Sequence, residues 1–186
     1  AMTCSHFCSA ERQFRLPLEY GGQRTPTAQW TATAAGAVLL RKGSGCVRIT
    51  HVTPGKIVDA GITDANNMGA AMAKSAADTL TRYFSKSPLT PSDFDVIATG
   101  DLGREGYEIC CELLKDSLPE LADKYTDCGM LIYDLEGQDV HCGGSGCGCS
   151  AVVTTGYFFD KLYKGEAKNI LLLSTGALMN PNTVFQ

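Results

Sequence analysis

Asp95-Val96-Ile97-Ala98-Thr99-Gly100-Asp101 is the stretch on which the fold turns. A short apolar run closing on a glycine reads as a buried strand that ends in a loop. Downstream, Glu105 to Lys115 carries helical spacing and stops before Pro119. Upstream, Asn66 or Asn67 can cap a helix whose Met68, Ala71, Met72, Ser75, Ala76, Thr79, Leu80 and Tyr83 share one face. Pro88 and Pro91 bracket the exit of that helix.

The alternation continues in both directions. Cys128 to Tyr133 reads as a strand, Ala151 to Lys164 as a helix, and Asn169 to Ser174 as a short final strand. Towards the N-terminus, residues 1–34 are polar and irregular. Ala35 to Lys42 then reads as a strand, Gly43-Ser44-Gly45 as a turn, and Cys46 to Thr53 as a second strand alternating at Val47, Ile49 and His51. Strands alternating with helices predict an α/β fold with a sheet that is at least partly parallel. Thr99-Gly100-Asp101-Leu102 is echoed by Thr175-Gly176-Ala177-Leu178 at the end of the last strand. Ligands gather outside the carboxyl ends of strands in such sheets, so both loops are expected in one crevice.

A second signal is Gly143-Gly144-Ser145-Gly146-Cys147-Gly148-Cys149-Ser150, which opens the Ala151 helix. Small residues there let another body approach the backbone, and unpaired N–H groups at a helix start favour an anion. No Gly-Lys-Ser/Thr follows, so the loop is not a phosphate loop. Cys147, near the helix start, is a candidate reactive thiol, and Cys149 reads in the same way.

Composition narrows the class. Of 186 residues, 44% are apolar and 19% charged, which fits a folded globular chain and excludes disorder. The net charge of -4, without a basic stripe, argues against nucleic acid as a partner. No run reaches the roughly 18 apolar residues of a membrane helix, and no export signal is expected at the start. Nine cysteines without CxxC pairs point to reduced, mostly buried thiols in a cytosolic compartment, with no metal centre and no cofactor.

Several segments together resemble one family. They are Ala10-Glu11-Arg12-Gln13-Phe14-Arg15, Glu19-Tyr20-Gly21-Gly22-Gln23, Pro26-Thr27-Ala28 and Gly36-Ala37-Val38. The series continues through Gly61-Ile62-Thr63-Asp64, Met68-Gly69, Ala76-Ala77-Asp78-Thr79, Thr99-Gly100-Asp101-Leu102, Asp127-Cys128-Gly129 and Gly143-Gly144-Ser145-Gly146-Cys147, and ends at Thr175-Gly176-Ala177-Leu178. In this order they resemble the stage V sporulation protein AD family.

The resemblance implies a thiolase-like layered α/β/α architecture with a mixed sheet. On that comparison residues 1–42 are the tail of an N-terminal half. Residues 43–186 are a truncated C-terminal half, so the fold is incomplete and lacks most of the first half and the final strands. The resemblance further implies a sporulation protein that binds dipicolinic acid, free or as its calcium chelate, for uptake into the spore. Its partners are other proteins of the same operon. It is expected in the cytoplasm of the forespore, peripheral at the spore inner membrane without insertion. The halves of this fold pack through helices, so an exposed apolar face and a homo-oligomer are also expected.

Condensing enzymes of this fold stabilise an oxyanion with His and Asn beside a cysteine nucleophile. The histidine's place falls here on Gly100 or Asp101, and the asparagine's on Gly144-Ser145-Gly146. Asp⁻ repels a developing oxyanion, so the comparison implies no catalytic residue and no Claisen condensation. The ligand-binding candidates are Gly100, Asp101, Asp127, Ser145, Gly146, Cys147 and His6. Arg12, Arg15 or Arg24 could supply positive charge, and Asp101 and Asp127 could meet a dianion through Ca²⁺. An acyl-thioester transferase using other residues, or an interaction module of the transport assembly, are the alternatives.

Overall fold

The strand around Ile97 is the middle of the largest sheet. In the computed structural model, which describes residues 1–9, 24–64, 66–177 and 179, strand β4 (Val96–Thr99) runs parallel to β5 (Tyr125–Asp127) on one side and to β7 (Ile170–Leu173) on the other. Ile97 and Ala98 are buried, as a three-residue apolar run in a central strand requires. Two further pairs complete the β structure. Strand β1 (Met2–Ser5) pairs antiparallel with β3 (Ala34–Ala37), and β2 (Trp30–Thr31) pairs parallel with β6 (Gly144–Ser145). Parallel and antiparallel pairing are both present, but in separate small sheets among the described residues.

Helix α1 (Met68–Lys86) starts where the Asn67 side chain accepts the Ala70 N–H at 3.0 Å. It buries Met72, Ala73, Ala76, Leu80 and Tyr83 in one core cluster with Phe94, Ile97 and Leu102. It ends at Ser87, which precedes Pro88 and is extended, as a pre-proline residue prefers. Helix α2 (Gly103–Leu114) crosses α1 where two glycines meet. A Cβ on Gly106 would lie 2.7 Å from the Gly69 carbonyl oxygen, so neither helix tolerates a side chain at the crossing.

Three expected strands are corrected. The strand expected at Cys128 to Tyr133 is displaced: β5 ends at Asp127, and α3 (Cys128–Leu131) follows. The Asp127 side chain accepts the Gly129 N–H and turns the chain into a helix, which a short apolar run does not reveal. Cys46 to Thr53 forms no strand and lies exposed, and Ala35 to Lys42 shortens to β3. Alternation alone does not make a strand without a partner to pair with.

The glycine loop leads into a longer helical stretch than the expected one. Helix α4 (Cys147–Val152) widens into a π-helical segment, Val153–Phe158, before α5 (Phe159–Lys164) ends at the left-handed Gly165. Cys149, Val153 and Phe158 form a second core cluster with Ala32, Ala98 and Cys128. Four cysteines are buried, Cys111 is intermediate, and Cys4, Cys8, Cys46 and Cys147 are exposed, so the thiols are not mostly buried.

Two predictions follow from these packing relations. Gly106→Ala should lower stability by about 1–3 kcal/mol in urea unfolding. Gly156→Ala, in open space on the exposed helix face, should raise it by about 0.5–1 kcal/mol. The second concerns Asp95, whose Oδ2 accepts the backbone N–H of Asn169 at 3.0 Å and of Lys168 at 2.7 Å and fixes the entry to β7. These donors, Asn169 foremost, hold its carboxyl below the ordinary 3.8. With a depressed native pKa, the contribution is complete above about pH 4 and is lost as pH falls through the native value. Stability measured between about pH 3 and 6 should fall less steeply on acidification in Asp95→Asn than in the parent. Equal slopes would show that the contact contributes nothing.

Candidate functional site

Asp127 occupies the centre of the strand ends. It closes β5 with 0% exposure, and its two oxygens receive four donors. Oδ2 accepts Thr99 Oγ1–H at 2.6 Å and the Leu102 N–H at 2.9 Å. Oδ1 accepts the N–H groups of Gly103 and Gly129, each at 2.9 Å. One carboxylate thereby satisfies the first amides of both α2 and α3, where helix dipoles favour negative charge. Burial pushes its carboxyl above the ordinary range, while Thr99 and the backbone donors pull it back. Gly103 has φ +68, a left-handed turn that brings its N–H onto the carboxylate. Asp127, expected among the binding residues, therefore acts on the loops from the interior, with none of its surface exposed.

Asp101 lies one loop away, at the exit of β4. Its Oδ2 accepts the Gly146 N–H at 2.8 Å, and its Oδ1 accepts Thr175 Oγ1–H at 3.4 Å. The two Thr-Gly loops do meet, because β4 and β7 are paired with Thr99 opposite Leu173. Gly146 has φ +94, so only glycine places this N–H towards the acid without strain. The glycine loop does offer its amides, but to groups of the protein itself. Gly146 gives to Asp101, Gly148 gives to Ser5 Oγ at 3.0 Å, and Cys149 gives to the Gly146 carbonyl at 2.9 Å.

The other candidates sort around this contact. Ser145 is 1% exposed, and its carbonyl accepts the Ala32 N–H at 2.9 Å as β6 joins the chain after β2. Cys147 is exposed, and its thiol donates to the Cys4 carbonyl at 3.1 Å. Cys149 is buried beneath the loop, and burial pushes its thiol far up, so it is not a reactive thiolate. His6 is exposed immediately after β1, next to the Ser5 that holds Gly148. Arg24 lies elsewhere, over the Trp30 ring at 4.4 Å and on the Asp139 carbonyl at 2.5 Å. Arg12 and Arg15 lie outside the described residues.

Gly100 lines a cleft of about 390 Å³ between the β1–β3 pair, the ends of β4 and β7, and α4. Thr3, Gly36, Ser150, Thr154 and Leu172 also line it, and none of its lining side chains is charged. Two residues of the site escaped the sequence reading. Gln29, 5% exposed, donates from Nε2 to the Asp101 carbonyl at 2.9 Å and the Gly144 carbonyl at 3.1 Å, tying the two loops together. Ser5 is the other, and neither carries a signal in its neighbouring residues. Among the described residues no group of His, Cys, Asp and Glu gathers to hold a metal ion, and no helix is long and apolar enough to cross a membrane.

All of residues 1–186 match the stage V sporulation protein AD family. The chain belongs to that family. It is 46% identical over 186 residues to stage V sporulation protein AD of Bacillus subtilis (strain 168), covering the whole chain and 55% of the relative. The chain thus spans little more than half the length of the curated relative it matches. As a family of sporulation proteins, the stage V sporulation protein AD group is related in fold to the thiolase-like superfamily, and its members are in general non-catalytic relatives of thiolases.

Asp127→Asn should be strongly destabilising. The amide replaces one acceptor oxygen by a donor, which then faces backbone N–H groups that cannot reorient. At about 1–3 kcal/mol for each buried donor left unpaired, the loss should be several-fold larger than for an exposed acid such as Asp116. Denaturant unfolding of the two variants checks this; equal midpoints would overturn the assignment.

Proposed function

We propose that the chain belongs to a non-catalytic, dipicolinate-binding sporulation protein that serves uptake of pyridine-2,6-dicarboxylate into the spore. The observation that carries this reading is the Asp101–Gly146 contact at 2.8 Å. In the thiolase-like frame, the place where a condensing enzyme sets neutral donors for an oxyanion holds a carboxylate that already takes the loop's N–H. A second anion meeting that carboxylate directly is repelled, which disfavours acyl-transfer chemistry here. A dicarboxylate approaches Asp101 through a cation, and Ca²⁺ suits carboxylate oxygens on both sides. Gly100, Gly146, Cys147 and His6 are the proposed surroundings of the ligand, with Ser145 and Asp127 supporting the loops from beneath.

In this proposal residues 1–42 belong to the first thiolase-like half and residues 43–186 to the second, and the partners are other proteins of the same sporulation operon. The protein acts in the forespore, peripheral to the inner membrane. The cleft beside Gly100, whose lining side chains are uncharged, favours a second reading, a neutral acyl-thioester ligand, because small apolar and hydroxyl-bearing walls suit an acyl chain better than a dianion.

Calorimetric titration with dipicolinate, with and without Ca²⁺, and with an acyl-CoA separates the readings. The proposal expects dipicolinate binding that Ca²⁺ strengthens and that Asp101→Asn weakens by about tenfold, equivalent to roughly 1.4 kcal/mol. Binding indifferent to both Ca²⁺ and Asp101→Asn removes the cation bridge. Acyl-CoA binding or turnover without dipicolinate binding overturns the reading in favour of the second. Silence with both leaves the interaction module in its place.

A further inference from the structure

Gln29 is a buried polar side chain that spans two loops of the candidate site. It is 5% exposed, and its Nε2 donates at 2.9 Å to the Asp101 carbonyl and at 3.1 Å to the Gly144 carbonyl. Both N–H bonds of that nitrogen are thereby used. They also fix which way the amide faces, because its oxygen, turned into the same place, would meet two carbonyl oxygens. The fit is close. A Cβ on Gly103 would lie 2.6 Å from the same nitrogen, so the left-handed glycine that serves Asp127 also leaves room for Gln29.

The chain around Gln29 is joined to the glycine loop without help from this side chain. Trp30 N–H donates to the Gly143 carbonyl at 2.8 Å, Ala32 N–H to the Ser145 carbonyl at 2.9 Å, and Cys142 N–H to the Ala28 carbonyl at 3.0 Å. What the side chain adds is a reach across to the loop after β4. That loop also meets the glycine loop through the Asp101 carboxylate, which accepts the Gly146 N–H at 2.8 Å. A cation-bound ligand competes for this carboxylate, so the contact weakens as the site fills. The Gln29 bonds go to backbone carbonyls instead, and they persist when the Asp101 side chain turns.

We propose that Gln29 is a positioning residue of the ligand site. It holds the Asp101 loop and the glycine loop at a fixed separation while the Asp101 carboxylate exchanges Gly146 for a cation-bound dicarboxylate. The identity of that ligand rests on the dipicolinate reading; the hold on the loops does not. In this role Gln29 touches neither ligand nor cation and acts through the placement of Asp101.

Two variants test it. Gln29→Met keeps the length of the side chain and removes both donors, and Gln29→Asn keeps the amide on a chain one methylene shorter. In either, native-state amide exchange should quicken at Gly146 at least about tenfold more than at Gly148, whose N–H goes to Ser5 Oγ. Calorimetric titration of the same proteins with dipicolinate and Ca²⁺, well below the melting temperature, should show affinity lowered about tenfold, and by less when Asp101→Asn is already present. Equal quickening at the two glycines, the mark of a merely structural role, overturns the proposal. So does unchanged dipicolinate affinity in a variant whose Gly146 is loosened, or loss of the whole fold in both variants, which makes Gln29 a general core residue. A parent protein that ignores dipicolinate removes the ligand reading alone, and the excess quickening at Gly146 then upholds the hold of Gln29 on the loops.

Discussion

The carboxylate of Asp127 holds together the amides on which two helices begin and the hydroxyl that closes the central strand. Without that side chain, the left-handed turn at Gly103 and the start of α3 at Cys128 both lose their partner. The desolvation of a buried carboxylate is expensive, and here it is offset in part by four donors at hydrogen-bond distance in a region where helix dipoles point the same way. The loops that carry Gly100, Asp101 and Leu102 are consequently positioned by an internal salt-free anion site. The candidate ligand site inherits its geometry from that arrangement.

Asp101 and Asp127 read alike in sequence, as acids close to a glycine, and the structure separates their roles by depth. Asp127 is enclosed; Asp101 sits at the rim, where its oxygens take Gly146 N–H and Thr175 Oγ1–H. The first fixes the scaffold, and the second couples the ends of β4, the glycine loop and β7. Gln29 strengthens that coupling from below by bonding to carbonyls on two of the same loops. A ligand that displaced Asp101 would therefore act on three chain segments at once.

Much of the fold was legible because its signals are local. The Val96–Thr99 strand is an apolar run between polar flanks, α1 has its asparagine cap and a small-residue face, and Pro88 ends it. Where legibility failed, the deciding interaction was tertiary. The run from Gly129 to Tyr133 is equally apolar as helix or strand, and only the Asp127 cap decides between them. The Cys46–Thr53 alternation is a valid strand pattern without a pairing edge. In the site, the glycine loop announced close approach correctly, and Gly148 does press against Ser5 and Ala34. Which group would take its amides was hidden, because Asp101 lies forty-five residues from Gly146.

The widened turn at Val153–Phe158 bears on how positions are compared between relatives. Val153 and Phe158 both reach the second core cluster although five residues separate them. On a regular helix that spacing points roughly 140° apart. The π turn absorbs one residue, bringing the two onto a common face. Such a turn is how a helix accommodates a single-residue insertion without breaking. A family member with a uniform α-helix here would keep the same core with one residue fewer. Equivalent positions beyond Phe158 should then be matched by the core they enter, since a constant offset along the chain would pair residues from opposite sides of the helix.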